Sequence, residues 1–312
     1  MSKKVIDFVE GESIETNLLV TFLEKCITNN GKPYLNLILQ DDSKDIDAKL
    51  WDVKPEMLKL LEVGKVYHFF LDINVYRQKL QAKVVNVLPV SQNEINIDDY
   101  IFKSPIPKEE LMNNIQEGLN HIENENIVKI VTSALNYYDN KVYQYPAATK
   151  IHHNFIGGLA THISGMIKLA MAISNLYPSI NRDYLLAGVI LHDLGKIEEF
   201  QSESVSEYSN EGKLLGHISI MDARLLEIGD DLDLADSEEL MILRHMVLSH
   251  HGQPEFGSAV RPETLEAEML NFIDNIDARV NIIEKALKDV SAGGFSDRIF
   301  ALDNRQFYKY KK

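Results

Sequence analysis

The chain has a single cysteine, Cys26, among its 312 residues. One cysteine excludes an internal disulfide and fits a reducing compartment. The N-terminus lacks the apolar core of a signal peptide, and no apolar run reaches membrane-spanning length, so a cytoplasmic protein is expected. Positive charge is also in deficit. Lys and Arg total 32 against 47 Asp and Glu, a net charge of −15, which argues against a chain that simply coats nucleic acid. Internal repeats and low-complexity tracts are missing too.

What is present is an ordinary globular composition, 45% hydrophobic and 25% charged, at a length that favours two domains. The acidity is uneven. Residues 1–90 hold 12 Lys and Arg against 13 Asp and Glu, so −14 of the −15 lies beyond them. An acidic second half can collect cations, and bound metal would reverse the field that a phosphate meets there.

Residues 13–89 read as strands. Leu18 to Leu23 precedes Asn29-Asn30-Gly31-Lys32, a hairpin signal. Tyr34 to Gln40 alternates, with Leu35, Leu37 and Leu39 on one face, and Ile46, Ala48 and Leu50 alternate in the same way. Pro55 opens a short helix through Leu61, since proline suits a first helical turn. Two more strands follow, Lys65–Val75 and Leu80–Leu88, joined around Tyr76-Arg77-Gln78. Three strands, a short helix and two strands is the order of an OB-fold barrel, a module that commonly holds single-stranded nucleic acid by aromatic stacking. Tyr34 and Trp51 fall on the polar faces of their strands, where they suit base stacking or plugging of a barrel end. Lys49, Arg77 and Lys83 are candidate phosphate contacts.

Residues 91–107 are polar, contain two prolines and read as a linker. Beyond them the pattern is helical, including Glu109–Ile122 and Ile127–Tyr138. The fold class expected is therefore multi-domain: an OB-fold β-barrel over 1–90 and an all-α bundle over 108–312, with its chemistry within about 150–285.

That chemistry centres on Leu191-His192-Asp193-Leu194-Gly195-Lys196, delivered by the apolar run Leu185 to Leu191. An imidazole beside a carboxylate at the end of a buried element is a metal-ligand pair. His162, His217, His250-His251 and Asp274 also sit within or at the ends of apolar helical segments. Several imidazoles and carboxylates on different apolar helices would strain a bundle unless they converged on metal, as they do in other bundles. His152 and His153, before the Gly157-Gly158 turn, are candidates for substrate contact or proton transfer, or equally for core or capping roles. Arg244 and Arg279 are candidate phosphate contacts or salt-bridge partners.

As a series these residues resemble the HD-domain metal-dependent phosphohydrolases, and His217 with His250-His251 resembles their two-metal branch. That resemblance implies one ion on His162, His192, Asp193 and Asp274, and a second on Asp193, His217, His250 and His251. Asp277 rivals Asp274 for the last carboxylate. Lys196 would face the charge that gathers on phosphorus, with Asp193 and Lys196 as the catalytic pair. Together with the barrel, the segments His152 to Leu159, Leu191 to Lys196, Ser249 to Gly252, Ile273 to Ala278 and Ala301 to Arg305 resemble the YhaM family of bacterial 3′-to-5′ exoribonucleases.

This second resemblance implies manganese-dependent trimming of single-stranded RNA, and of single-stranded DNA, to nucleoside 5′-monophosphates. Iron, cobalt and zinc are the alternative metals. Tyr34, Trp51, His153 and Arg279 would contact the strand, and a homo-oligomer is compatible with the sequence. Two rival functions stand beside it. One is an HD phosphodiesterase for cyclic dinucleotides or free nucleotides, although the Gly-Tyr-Pro signature of one such branch does not occur here. The other is a non-enzymatic nucleic-acid-binding regulator.

Overall fold

The computed structural model describes residues 3–28, 30–51, 53, 60–76, 79–147, 155–201, 208–288 and 290–311. The chain divides into two compact units, Met1–Lys103 and Ser104–Lys312.

In the first unit, strands β1 (Ser13–Ile27), β2 (Pro33–Gln40), β3 (Asp45–Leu50), β4 (Val66–Tyr76) and β5 (Lys79–Pro89) close into a barrel in the order β1-β2-β3-β5-β4. This is the OB arrangement. β1 is long enough to pair with β2 on one edge and β4 on the other, and its register slips between Val20 and Phe22. Such a bulge bends one strand around a barrel corner. Closure comes from the parallel pairing of β3 with β5, Asp47 opposite Gln81 and Lys49 opposite Lys83. The period of two decides the core: Leu35, Leu37 and Leu39 are fully buried, as are Ala48 and Phe69, while their sequence neighbours face outward. The helix expected from Pro55 falls almost wholly outside the described residues, as do Arg77 and Gln78.

The stretch expected to link the units is not bare chain. Gln92 bonds both the Val66 amide and its carbonyl, and Ile101 is buried.

The second unit is helical: α1 (Lys108–Asn120), α2 (Glu125–Tyr138), α3 (Gly158–Leu176), α4 (Arg182–Leu191), α5 (Lys196–Glu199), α6 (Asn210–Asp231), α7 (Glu238–Ser249) and α8 (Leu265–Leu287). Local chemistry sets several starts. The side chains of Asn124, Asn181, Ser209, Ser237 and Thr264 each accept an amide hydrogen bond at the first turn of the helix they precede. Helix α4 is buried all round from Leu185 to Leu191, which makes it the central rod of the bundle. Gly188 lets α7 and α8 close on that rod, because a Cβ there would collide with Met246 and press on Leu270. Helix α6, which carries His217 within its apolar helical pattern, is interrupted at Gly216, where φ is +72° and ψ is 155°. A backbone of that kind suits glycine, which has no Cβ to clash.

No helix among the described residues is long and apolar enough to cross a membrane.

Candidate metal centre

Buried α4 ends at Leu191, and the chain turns at once so that His192 and Asp193 stand in the middle of the bundle. Around them, α3 contributes His162, α6 contributes His217 just past its break, the end of α7 contributes His250 and His251, and α8 contributes Asp274. Residues spread over a hundred positions thereby meet around one carboxylate.

The distances centre on Asp193. Its Oδ2 lies 3.3 Å from His192 Nε2 and 3.8 Å from His162 Nε2, while its Oδ1 lies 3.4 Å from His217 Nε2 and 3.7 Å from His250 Nε2. Asp274 Oδ1 is 3.3 Å from His162 Nε2. Two groups have their ligating atoms all within 4.8 Å of one another, His162 with His192 and Asp193, and His217 with His250 and His251. The Nε2 atoms of His192, His217 and His250 and Asp193 Oδ1 are buried with no hydrogen-bond partner. Buried polar atoms are ordinarily paired, and lone pairs left over at one point are what a cation satisfies. The residues therefore fit metal ions.

The far nitrogens explain why the Nε2 atoms point inward. His192 Nδ1 lies 2.9 Å from Val189 O, His250 Nδ1 2.7 Å from Val247 O, and His251 Nδ1 2.8 Å from Phe256 O. A carbonyl only accepts, so each of these nitrogens is the donor and each Nε2 keeps its lone pair. Asp277 Oδ2 lies 2.6 Å from His162 Nδ1. Asp274 and Asp277 therefore do different things, the first beside the inward nitrogen and the second behind the ring.

Charge in the centre is strongly biased. Burial would raise the Asp193 carboxyl, but Lys196 and His192 outweigh it and hold it well below the usual carboxylate range. Burial would likewise lower the Lys196 ammonium, and Asp193, 2.6 Å away, raises it instead. Burial opposes charge on His162 as well, yet Asp274 and Asp277 raise it to about 10. Burial, with His251 and His192 nearby, pushes His250 well down, and burial beside His217 lowers His251. Neutral imidazoles are the form that binds metal, so His250 and His251 are ready for it, whereas His162 would give up its Nε2 proton to an ion.

Other candidates lie elsewhere. Arg279 is exposed on α8. Arg244 is committed to Asp222, with bonds of 2.7 and 2.9 Å. His152 and His153 fall outside the described residues. On the barrel, Tyr34 and Trp51 stack on each other with ring centroids 4.7 Å apart, and Lys49 Nζ lies 5.4 and 5.5 Å from the two ring centres. Trp51 is 42% exposed. Glu199, which no motif singled out, is buried at 7% exposure and accepts from both the amide and Nδ1 of His217, each at 3.0 Å. Only its place three residues past Lys196, on a four-residue helix, hinted at proximity.

The HD domain family matches residues 159–279. The 3′-5′ exoribonuclease YhaM of Bacillus pumilus strain SAFR-032 is 44% identical over 310 residues, covering 99% of this chain and 98% of that protein. Among solved structures, the second OB-fold domain of replication protein A from Methanococcus maripaludis is 18% identical, covering 28% of this chain and 92% of its own, with a TM-score of 0.24. An SSB domain from Synechococcus sp. is 9% identical, covering 26% and 97%, with a TM-score of 0.22. The full-length identity is decisive, and the chain belongs to the 3′-5′ exoribonuclease YhaM family.

Proposed function

We propose that this protein is a cytoplasmic 3′-to-5′ exoribonuclease that hydrolyses single-stranded RNA, and single-stranded DNA, to nucleoside 5′-monophosphates. The observation that carries the chemistry is the convergence of imidazole Nε2 atoms on both oxygens of Asp193.

His162, His192, Asp193 and Asp274 would hold one divalent ion, and Asp193, His217, His250 and His251 the other. Bound there, two divalent ions supply an activated water and polarised phosphoryl oxygens. Imidazole nitrogens mixed with carboxylate oxygens suit manganese, with iron, cobalt and zinc as alternatives. Asp193 presents one oxygen to each group and so fixes the spacing between them. Lys196, charged and anchored by that same carboxylate, offers positive charge where the attacked phosphoryl group becomes more negative. The outward Tyr34–Trp51 pair, with Lys49 beside it, supports a strand-holding role for the barrel, because every base has a face to stack and every nucleotide a phosphate. Direction of digestion follows that of the relative, a 3′-5′ exoribonuclease.

The test is incubation with manganese and a 5′-labelled single-stranded RNA, beside Asp193→Ala. A ladder shortening from the 3′ end, missing in the variant, is expected. RNA left intact across manganese, iron, cobalt and zinc would overturn the proposal and bring cyclic dinucleotides forward as substrates.

A further inference from the structure

The imidazoles clustered around Asp193 and His250 are supported from behind in two ways. Backbone carbonyls back His192, His250 and His251. Carboxylates back the other two, Asp277 behind His162 at 2.6 Å and Glu199 behind His217 at 3.0 Å. These two histidines fall one in each candidate metal group. We propose that Asp277 and Glu199 are positioning residues, each setting the affinity of one ion through the imidazole it backs. The inference rests on the two-metal reading above.

A carbonyl offers only a dipole, whereas a carboxylate offers a full negative charge. Both keep the ring proton on Nδ1, but the charge also makes Nε2 a stronger electron donor toward a cation. One charged support per ion divides this effect evenly between the groups.

The surrounding backbone is shaped to hold both contacts. The break at Gly216 frees the His217 amide from the helical ladder, and that amide reaches the same Glu199 oxygen as the ring does. Glu199 therefore grips His217 at two points of one residue. Glycines bring the two segments together: a Cβ at Gly212 would strike the Glu199 backbone, and one at Gly195 would strike the His217 carbonyl. Behind His162 the device is similar. Gly165, one turn along α3, leaves the space that Asp277 enters, since a Cβ there would sit 2.7 Å from Asp277 Oδ1.

Satisfying a buried or half-buried acid would be reason enough for either contact, so the test must separate folding from ion affinity. Manganese is titrated calorimetrically into the full chain after chelator treatment, for the wild type, Glu199→Gln, Glu199→Ala and Asp277→Asn. The wild type should show two binding events. Glu199→Gln keeps an oxygen for both N–H groups, so it should weaken one event by roughly 10-fold, with Glu199→Ala nearer 100-fold. Asp277→Asn should weaken the other event and spare the first. Circular dichroism of each metal-free variant, compared with the metal-free wild type, checks that the helices persist. Two wild-type events that the variants leave unchanged, or weaken together, would overturn the inference and leave the two-metal reading standing. Fewer than two events in the wild type would overturn both.

Discussion

Asp193→Asn tests the centre most sharply, because one carboxylate serves two purposes there. In metal-free protein, Asp193 neutralises Lys196, which is 11% exposed at its side chain while Asp193 is 3% exposed. Removing one partner of a buried ion pair costs about 3–5 kcal/mol, because the other charge stays behind unpaired. For a unit of this size, about 2–4 °C of Tm accompanies each kcal/mol, so the helical unit should melt roughly 6–20 °C lower in chelator. With manganese the difference widens. Each ion at about 100 times its dissociation constant stabilises the wild type by about 2.7 kcal/mol, and two ions by roughly twice that. An amide between the groups carries no charge and offers one oxygen, so the variant should gain almost nothing. The assay is thermal unfolding followed by circular dichroism at 222 nm (a wavelength that reports helix), in chelator and in manganese. A manganese-induced shift in Asp193→Asn equal to the wild-type shift would refute the placement of this carboxylate between two ions.

Other consequences follow from single contacts. Trp51→Ala removes the exposed member of the barrel stack and should weaken single-stranded RNA binding by about 1–3 kcal/mol, roughly 5- to 150-fold in Kd by fluorescence anisotropy, without changing metal binding. Gly195→Ala forces the α5 segment off the His217 carbonyl; about 1–3 kcal/mol of stability should be lost in urea titration. Glu198 accepts from Tyr138 at 2.8 Å and from Arg224 at 2.7 Å, and although burial would raise its carboxyl, those two partners lower it. A lowered folded-state pKa means this stabilisation is complete above the unfolded glutamate value of about 4.3 and fades as pH falls through the folded one. Glu198→Gln should therefore be less stable at pH 7 by about 1.5–3 kcal/mol, with a gap that narrows toward pH 3 in denaturant titrations.

Much of the fold was legible because it rests on short-range repetition. Alternation from Tyr34 to Gln40 and from Ile46 to Leu50 marked the faces that the barrel buries, and the apolar run before His192 marked the central helix. The break in α6 was harder to see. Glycine tolerates both helical and mirror-image backbone, and nothing near Gly216 says which it adopts until Glu199 claims the freed amide. Arg244 shows the opposite difficulty: its residue type suits a phosphate contact or a salt bridge equally, and only packing brings Asp222 beside it.

The sequence by itself determined the succession of strands along the first unit, the helical second unit and the set of imidazoles and carboxylates available for metal. Residue type and period are local properties, so they survive without coordinates. Tertiary structure decided which atom of each residue faces the centre. Asp274 and Asp277 lie one helical turn apart and are chemically alike, yet one meets the inward nitrogen of His162 and the other the outward one. That difference depends on how α8 is rotated against α3, which is set by packing across the whole bundle rather than by either residue's neighbours in the chain.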